Sequence, residues 1–585
     1  MPKIYIKNID KVIVCNENEV LLNVLRKHRI QVQAVCGGLG LCGLCRVLVT
    51  KGNVSEPTDA EKRVLGGLVQ EGWRLACQTR VLGDIEVIIP KVRKYILENY
   101  RIRTKYNKRP LAEVVEVKYI KNDLSCLDYL LKELGERNIS AEKVSLLALS
   151  KLPEIFYKKK KAAVLVDRES HEVLDLINES EVYGIAVDLG TTTVVAGLVD
   201  LSNCKLLKTA STYNKQLSFG NNIISRISYA IKGEKELREV SKAALDTIEE
   251  LIDELAGNKR DRIFEVVVAG NTAMTLLFLG ISPHTLGFKP FTPPFTGMLT
   301  IKARELGFNL NKEAIVRTLP VVGGYIGGDV IGDILVSGML EDKTAILVDI
   351  GTNGEIVLKK NNELYSTSVP AGPSFEGVGL TSGMLATYGA VHRVFSTKRG
   401  IQYVVIGGGK PKGICGSGYI DLLAELIRHG ILNRKGRLLE NYSSVRRRSG
   451  VLEYVLDYEE NVVLSQKDIR KLQLAIAAFK VGYKILLSKA GISPDKVEKI
   501  YVAGSFGFHV NPENAIEIGL LPKADPSQIE FIGNGSLGGA ILYLTSSEAR
   551  KLCKDVFRKI KVIEAPMEKE FQKLFLSNLT LEPVA

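Results

Sequence analysis

One short pattern occurs twice in the sequence and constrains the fold more than any other feature. An apolar run ending in Asp-x-Gly-Thr reads Gly-Ile-Ala-Val-Asp-Leu-Gly-Thr-Thr-Thr at 184–193. The run returns at 345–355 as Ala-Ile-Leu-Val-Asp-Ile-Gly-Thr-Asn-Gly-Glu, about 160 residues further along the chain. In each copy a buried strand delivers an aspartate to its end, and a glycine turn follows. A single copy is an ordinary tight turn, whereas the pair indicates a duplicated fold.

A third strand ends in a glycine turn at 499–507, and a helical stretch follows over 512–519. No G-x-x-x-x-G-K-[ST] pattern occurs in the sequence, so a P-loop nucleotide site is excluded. The three segments resemble, in the same order, the first phosphate, second phosphate and adenosine motifs of the actin, heat-shock chaperone and sugar-kinase superfamily. We therefore expect a two-lobed, ribonuclease H-like ATPase domain.

That resemblance implies that two hairpins hold the phosphate chain of ATP between facing lobes. Glycine turns offer backbone N–H groups to phosphate oxygens. The catalytic residues Asp188 and Asp349 would hold Mg²⁺ through water molecules, because Mg²⁺ keeps much of its hydration shell. The nucleotide-binding residues implied are Gly190, Thr191, Thr192 and Thr193 of the first hairpin, Gly351, Thr352, Asn353 and Gly354 of the second, and Gly504, Ser505 and Gly507 beside the adenosine.

Two other features of this region have two interpretations each. Asp329 lies where the superfamily places a residue that orients the attacking water, so we name it as a third catalytic candidate. An aspartate that caps a helix N-terminus explains the same position equally well. The Gly- and Pro-rich loop 370–379, which contains Ser374 and Glu376, is either a tight structural turn or a loop that another surface approaches closely.

The cysteines point to a metal centre near the N-terminus. Nine cysteines in 585 residues are too few for a disulfide scaffold, yet three of them fall within ten positions. With a fourth, they have the spacing C-x5-C-x2-C-x31-C, which suits four thiolates converging on two irons from one tight loop and one single site. Structural zinc is the alternative, but zinc sites usually show two CxxC-like pairs. The predicted ligands are Cys36, Cys42, Cys45 and Cys77.

The first 90 residues or so resemble the β-grasp [2Fe–2S] ferredoxins. The gap of five residues between the first two cysteines matches the adrenodoxin-like variant rather than the plant type. Cys15 lies on a predicted strand ahead of the cysteine loop, so we interpret it as a buried apolar residue and not as a ligand.

The sequence predicts a multidomain chain of α+β and α/β type. We expect a ferredoxin domain over 1–92, a basic linker over 93–110, a small α/β middle domain over 111–182 and the ATP-binding domain over 183–585. The net charge of +13 is concentrated around the linker, where 91–109 carries eight Lys and Arg against Glu98. Without interleaved aromatics or a reading helix, nucleic acid is not the expected partner. The charge is either a solvated surface or a means of steering an acidic protein.

An iron–sulfur domain ahead of an actin-like ATPase resembles, over the whole chain, the reductive activators of corrinoid proteins. Three further segments of the sequence, 74–78, 370–377 and 533–540, also resemble those of the reductive activators. The resemblance implies ATP-dependent electron transfer to the cobalt(II) corrinoid of a methyl-transfer protein, with reduced ferredoxin or a similar protein as the donor. Alternatives are an ATP-driven donor to another low-potential enzyme, a small-molecule kinase with a redox-sensing cluster and a scaffold with a dead ATPase. No signal peptide or membrane span is evident, so we expect a cytoplasmic protein, and a homodimer stays open.

Overall fold

The computed structural model describes residues 1–28, 30, 32, 40, 45–90, 100–120, 124–177, 181–220, 222–398, 400–504 and 510–584. Four units built of strands and helices follow one another in this part of the chain, each around its own main sheet. The predicted combination of a ferredoxin-like unit, a small α/β unit and a two-lobed domain is confirmed. No helix among the described residues is both long and apolar enough to cross a lipid bilayer.

The N-terminal unit is a mixed sheet with a short helix packed on it. Its elements are β1 (Lys3–Ile6), β2 (Lys11–Val14), β3 (Glu19–Val20), α1 (Leu21–Lys27), β4 (Arg46–Val54), α2 (Asp59–Leu65), β5 (Trp73–Leu75) and β6 (Arg80–Ile88). The strand order is β2-β1-β6-β4-β5, with β3 beside β6, and only β1 and β6 run parallel. The apolar spacing over 19–29 predicts a helix, but α1 begins only at Leu21, because Glu19 and Val20 pair with β6. Leu21, Val24 and Leu25 fill the core as their spacing predicts.

The middle unit packs two helices on a four-stranded sheet. Its elements are β7 (Ala112–Lys118), α3 (Cys126–Glu136), β8 (Lys143–Val144), α4 (Leu146–Glu154), β9 (Lys161–Asp167) and β10 (Glu172–Ile177). The apolar spacing over 141–149 predicts a helix, but α4 begins only at Leu146, because Ser145 caps it by accepting a hydrogen bond from the Ala148 N–H. Buried Arg317 of the first lobe contacts Asp167, so an ion pair joins the middle unit to that lobe.

The first lobe surrounds a six-stranded sheet. Its elements are β11 (Tyr183–Leu189), β12 (Thr193–Asp200), β13 (Lys205–Tyr213), α5 (Ile223–Ala230), α6 (Glu234–Ala256), β14 (Ile263–Ala269), α7 (Thr272–Leu279), β15 (Thr300–Lys302), β16 (Ile315–Thr318) and α8 (Gly328–Ser337). The order β13-β12-β11-β14-β16-β15 starts with an antiparallel meander and continues with parallel strands. This arrangement places the end of β11, where the first motif lies, in the middle of the sheet.

The second lobe repeats that topology. Its elements are β17 (Thr344–Ile350), β18 (Gly354–Lys360), β19 (Glu363–Val369), β20 (Ala390–Thr397), β21 (Gly400–Val405), β22 (Gly413–Ile414), α9 (Gly416–Arg428), β23 (Val445–Arg448), β24 (Val451–Asp457), β25 (Val462–Ser465), α10 (Gln466–Ala490), β26 (Lys499–Ala503), α11 (Pro512–Glu517), β27 (Ile529–Gly533), α12 (Gly535–Thr545), α13 (Ser547–Lys559), β28 (Ile560–Val562) and α14 (Phe571–Ser577). The main sheet has the order β27-β26-β17-β18-β19-β28. Both lobes therefore have a meander followed by parallel strands, as the duplicated motif predicts.

Helices α8 and α12 join the two lobes by crossing at glycines. A Cβ placed on Gly539 would lie 2.2 Å from the Cα of Gly332, so the two backbones touch where the helices cross. Each helix follows the last parallel strand of one lobe and also contacts the sheet of the other lobe. The N-termini of both helices therefore lie between the lobes.

The segment before the middle unit is bound to these two helices. Its backbone donates hydrogen bonds from Arg103 to the Val336 carbonyl of α8 and from Arg109 to the Thr545 carbonyl of α12. Within the predicted linker 93–110, residues 100–110 are therefore hydrogen-bonded to the ATP-binding domain, and 93–99 lie outside the described residues.

Candidate functional site

A cavity of about 240 Å³ separates the two lobes and is lined by both Asp-x-Gly-Thr hairpins. Asp188 lies near the end of β11 and Asp349 near the end of β17, and both line the cavity. Strands of the two repeats thus deliver their aspartates to one space from opposite sides. Every described residue of the predicted nucleotide set also lines this cavity, except Gly354, which begins β18 directly beside it.

The cavity wall is strongly acidic. Six carboxyl groups line it, and no lysine or arginine does so among the described residues. Such a wall repels a phosphate chain unless a cation accompanies it or the carboxyl groups are protonated. The acidic residues are Asp188, Asp329, Asp333, Asp349, Glu355 and Glu376.

Burial raises the pKa of these groups. It raises the pKa of Asp188 to about 6, although a hydrogen bond from Asn534 opposes the shift. Burial and the charges of neighbouring aspartates raise the pKa of Asp329 and of Asp349 to about 7. The pKa of Asp333 is raised further for the same reasons. A bound cation would relieve this repulsion, because it stabilises all the ionised carboxylates at once.

Asp329 and Asp333 face the cavity from the first two turns of α8. Asp329 is not the helix N-cap, because Gly327 occupies that position, and the capping interpretation is therefore wrong. Its carboxylate accepts a hydrogen bond from the N–H of Val330 at 2.8 Å, and the residue lines the cavity. Asp333 is 1% exposed, and its Oδ2 has no hydrogen-bond partner among the described residues. An orphaned buried carboxylate oxygen of this kind suits a site that takes up a cation or its water shell.

Two side chains outside the first hairpin hold its shape by donating hydrogen bonds to its backbone carbonyls. The Asn214 side chain donates to the Gly190 carbonyl at 2.9 Å, and the Arg226 guanidinium donates to the Thr191 carbonyl at 2.5 Å. Because these carbonyls are bound from behind, the hydroxyl side chains of the turn face the cavity. Burial lowers the pKa of Arg226 to about 9.

The third motif meets the second hairpin at Gly504. This residue has φ +91°, and a Cβ there would lie 2.4 Å from an Asp349 carboxylate oxygen, so the position requires glycine. Ser505 and Gly507, also predicted to bind nucleotide, lie outside the described residues. Asp333, Glu355 and Asn534 also line the cavity, and none of them is among the residues predicted for the site. Asn534 caps α12 and donates from its side chain to Asp188 at 2.9 Å, which links the second lobe to the first.

The loop 370–379 is a tight turn against the second hairpin. The Gly372 N–H donates to the Thr352 carbonyl at 2.9 Å, Ser374 is 8% exposed, and Phe375 packs near Phe479. The structural interpretation of this loop therefore fits better than an exposed contact loop. The same turn places the carboxylate of Glu376 in the cavity.

Two of the four predicted cluster ligands can be located. The sulfur atoms of Cys45 and Cys77 lie 3.3 Å apart, and the two residues are 1% and 8% exposed. That separation is too long for a disulfide and brings two thiols to one point. Cys36 and Cys42 lie outside the described residues. Cys15 is 3% exposed and donates to the Pro2 carbonyl at 3.8 Å, as expected for a buried apolar cysteine.

A buried ion pair supports the strand that leads to Cys77. Glu61 accepts hydrogen bonds from the Arg74 guanidinium at 2.9 and 3.0 Å and from the Leu75 N–H at 2.9 Å. Burial alone would raise the pKa of Glu61, but these hydrogen bonds outweigh it and lower the pKa. Buried Glu61 therefore fixes the backbone and the arginine side chain of the segment Arg-Leu-Ala-Cys, which ends at Cys77.

The fold and the cavity define a class of protein, a two-lobed actin-like ATPase joined to a ferredoxin domain. Family models agree with each part. Residues 4–82 match the 2Fe-2S iron-sulfur cluster binding domain, 183–342 match the RACo middle region, and 343–584 match the C-terminal domain of RACo, the ASKHA domain. The boundary between the last two falls between α8 and β17, where the first lobe gives way to the second.

Whole-chain relatives narrow the class to one family. The corrinoid activation enzyme RamQ of Eubacterium limosum is 31% identical over 97% of this chain and 97% of its own length. A solved structure titled reductive activator for corrinoid, iron-sulfur protein is 32% identical, with a TM-score of 0.75 over 100% of this chain and 99% of its own. The [Co(II) methylated amine-specific corrinoid protein] reductase of Methanosarcina barkeri is 27% identical over 61% of this chain and 68% of its own length. The chain belongs to the family of reductive activators of corrinoid proteins.

Proposed function

We propose that this chain uses ATP to pass an electron from a [2Fe–2S] cluster to the inactive cobalt(II) corrinoid of a partner methyl-transfer protein, which restores cobalt(I). The observation that carries the proposal is the joining of two sites in one chain. A cavity lined by six carboxyl groups lies between the two lobes, and two thiols lie 3.3 Å apart in the ferredoxin domain. Relatives that match this chain from end to end are titled as activators of corrinoid proteins.

ATP is needed because the electron transfer runs uphill. Ferredoxin-type clusters have potentials of about −400 mV, and cobalt(II) corrinoids are expected to need a lower potential. Each shortfall of about 59 mV lowers the equilibrium constant of a one-electron step tenfold. A two-lobed ATPase can offset that cost, because nucleotide binding closes the lobes and hydrolysis resets the complex.

The acidic cavity assigns roles to its residues within this proposal. Asp188 and Asp349 would hold Mg²⁺, and Asp329 would orient the attacking water. Bound Mg²⁺ would supply positive charge for the phosphate chain in a cavity that no described lysine or arginine lines. The glycines and hydroxyls of the two hairpins bind the phosphate oxygens, while Gly504 leaves flat space for the adenosine, joined by Ser505 and Gly507.

The remaining assignments follow the same division of the chain. Cys36, Cys42, Cys45 and Cys77 ligate the cluster within 1–92, and 111–182 is a middle domain fixed to the first lobe by the Arg317–Asp167 ion pair. Reduced ferredoxin or a similar protein loads the cluster.

The proposal is tested by an optical titration of cobalt. The full-length, cluster-loaded chain is reduced and mixed with a methyl-transfer protein that carries a cobalt(II) corrinoid, with and without Mg-ATP. We expect the absorbance of cobalt(I) to appear only with Mg-ATP, and to be absent in the Asp349→Ala variant. A fully reduced cluster with no cobalt(I) in the presence of hydrolysed ATP would contradict the proposal and favour another electron acceptor.

A further inference from the structure

A carboxylate that belongs to none of the three nucleotide motifs bridges the two phosphate hairpins. Glu376 ends the short turn Pro373–Glu376 of the second lobe. Its Oε2 accepts a hydrogen bond from the Thr192 hydroxyl of the first lobe at 3.0 Å. Its Oε1 accepts another from the Thr352 hydroxyl of the second lobe. One carboxylate therefore binds a hydroxyl from each hairpin, across the space between the lobes.

The turn that carries Glu376 is held firmly to the second lobe. The Gly372 N–H is bound to the Thr352 carbonyl at 2.9 Å, and Phe375 is 1% exposed. Gly377 has φ +74°, and a Cβ there would lie 2.3 Å from the Met384 carbonyl, so the exit of the turn is fixed as well. The contact that can open is therefore the one to Thr192, because that residue belongs to the other lobe.

The charge of Glu376 is balanced from behind the first hairpin. Burial raises the pKa of Glu376, while the hydrogen bonds from Thr352 and Thr192 and the positive charge of Arg226 lower it. The Arg226 side chain is turned away from the cavity toward the Thr191 carbonyl. Consequently the carboxylate faces the cavity, whereas its countercharge does not line it.

We infer that Glu376 occupies the place of a phosphate group and competes with ATP for the hydroxyls of Thr192 and Thr352. This inference rests on the proposed function, which assigns both hydroxyls to the phosphate chain. When the phosphate chain of ATP enters the cavity, at least the Thr192 hydroxyl must turn from the carboxylate to a phosphate oxygen. The carboxylate, which is buried, and a phosphate oxygen then lie side by side, and repulsion between the two anions costs binding free energy. Glu376 thus weakens nucleotide binding and favours release of the product after hydrolysis.

Glu376→Gln tests the charge without changing the shape. Glutamine can accept from one threonine hydroxyl through Oε1 and donate to the other through Nε2, so the turn keeps both contacts while the negative charge is lost. The full-length, cluster-loaded protein is titrated with a non-hydrolysable ATP analogue and Mg²⁺ by calorimetry. We expect the dissociation constant to fall about tenfold, equivalent to roughly 1.4 kcal/mol. In steady-state hydrolysis we expect KM for ATP to fall in Glu376→Gln and kcat to fall with it, because ADP leaves more slowly.

Glu425→Gln is the matched control. Glu425 is a buried glutamate of the second lobe that also accepts from a hydroxyl, that of Ser396, and it does not line the cavity. Its replacement should leave nucleotide affinity unchanged. If Glu376→Gln does not fold, Glu376→Ala is measured in the same way, with the same expected gain in affinity.

Two results would overturn the inference. Unchanged affinity in Glu376→Gln would show that the carboxylate does not compete, and weaker affinity would show that it helps to bind the nucleotide or its cation. A wild-type protein that binds no analogue at all is a different result, since it refutes the proposed ATP site itself.

Discussion

The crossing of α8 and α12 gives the most quantitative prediction. A Cβ on residue 539 would lie 2.2 Å from the Gly332 Cα, about 1.2 Å less than the 3.4 Å of an ordinary contact. The neighbouring atom belongs to the backbone of a buried helix and cannot rotate away. Gly539→Ala must therefore push the two helices apart.

The expected cost combines two opposing effects. Alanine favours a helix over glycine by roughly 0.5–1 kcal/mol. Overpacking in a core costs about 1–3 kcal/mol, and a clash between two backbones belongs at the upper end. We expect a net loss of about 2–2.5 kcal/mol in the free energy of unfolding of the ATPase domain. Gly332→Ala should cost less, because its nearest neighbour, the Ser536 Cα, lies at 3.0 Å.

The effect on catalysis should exceed the effect on stability. Helix α8 carries Asp329 and Asp333, and α12 begins beside Asn534, which holds Asp188. A displacement of 1 Å in a catalytic group can lower a rate about 100-fold. We expect kcat for ATP hydrolysis to fall by about 10- to 100-fold in Gly539→Ala.

The assay can separate the two halves of the chain. Trp73, the sole tryptophan, lies in the ferredoxin domain, so its fluorescence follows the unfolding of that domain, whereas far-ultraviolet circular dichroism follows mainly the ATPase domain. Gly135→Ala is the control, because this residue of α3 has nothing within 4 Å of its Cβ. It should stabilise slightly and leave ATP hydrolysis unchanged. If Gly539→Ala matched Gly135→Ala in stability and rate, the close crossing would not determine the geometry of the site.

Three further results are expected. Cys77→Ser should abolish or distort the visible and EPR spectra of the cluster while Cys15→Ser leaves them intact; loss of the cluster in the latter would contradict the ligand assignment. Asp349→Ala should remove Mg-ATP hydrolysis without changing the cluster spectrum, and unchanged turnover would mean that the motif is structural. Because burial raises the pKa of Asp188 to about 6 and that of Asp349 to about 7, from a value of 3.8, the folded state binds more protons than the unfolded state between these limits. The denaturation midpoint of the metal-free protein should therefore fall as pH rises from 5 to 8. Added Mg²⁺ should raise the midpoint more at pH 8 than at pH 5. A midpoint that rises with pH would refute the raised pKa values.

The sequence was sufficient for the parts of the site that are local. A strand, an aspartate and a glycine turn form one continuous piece of chain, so Asp188 and Asp349 could be placed at strand ends from the pattern alone. Asp333 could also have been found, since it follows Asp329 by four residues and shares its helix face. The helix start at Leu146 was missed because periodicity does not locate a cap, and Ser145 decides it.

Contacts between distant parts of the chain could not be predicted from any local pattern in the sequence. Asn534 reaches Asp188 across 346 positions, and Glu376 reaches Thr192 across 184. Neither residue follows a hydrophobic period, and each acquires its role only when two lobes face one another. The sequence showed that the loop around Glu376 was unusual, yet its partner was visible only in three dimensions.

The contacts of the basic segment before the middle unit were also not predictable from the sequence. Its charge suggested a solvated linker, but its N–H groups are bound to carbonyls in the last turns of α8 and α12, which otherwise lack helical partners. The Cβ of Arg103 also lies beside Gly338 at the end of α8, and its guanidinium forms an ion pair with Glu530 at 2.8 Å. The segment therefore caps, at their far ends, the two helices whose near ends form the nucleotide cavity. Since the ferredoxin domain precedes this segment, a change in the crossing of α8 and α12 would also move the point from which that domain is held.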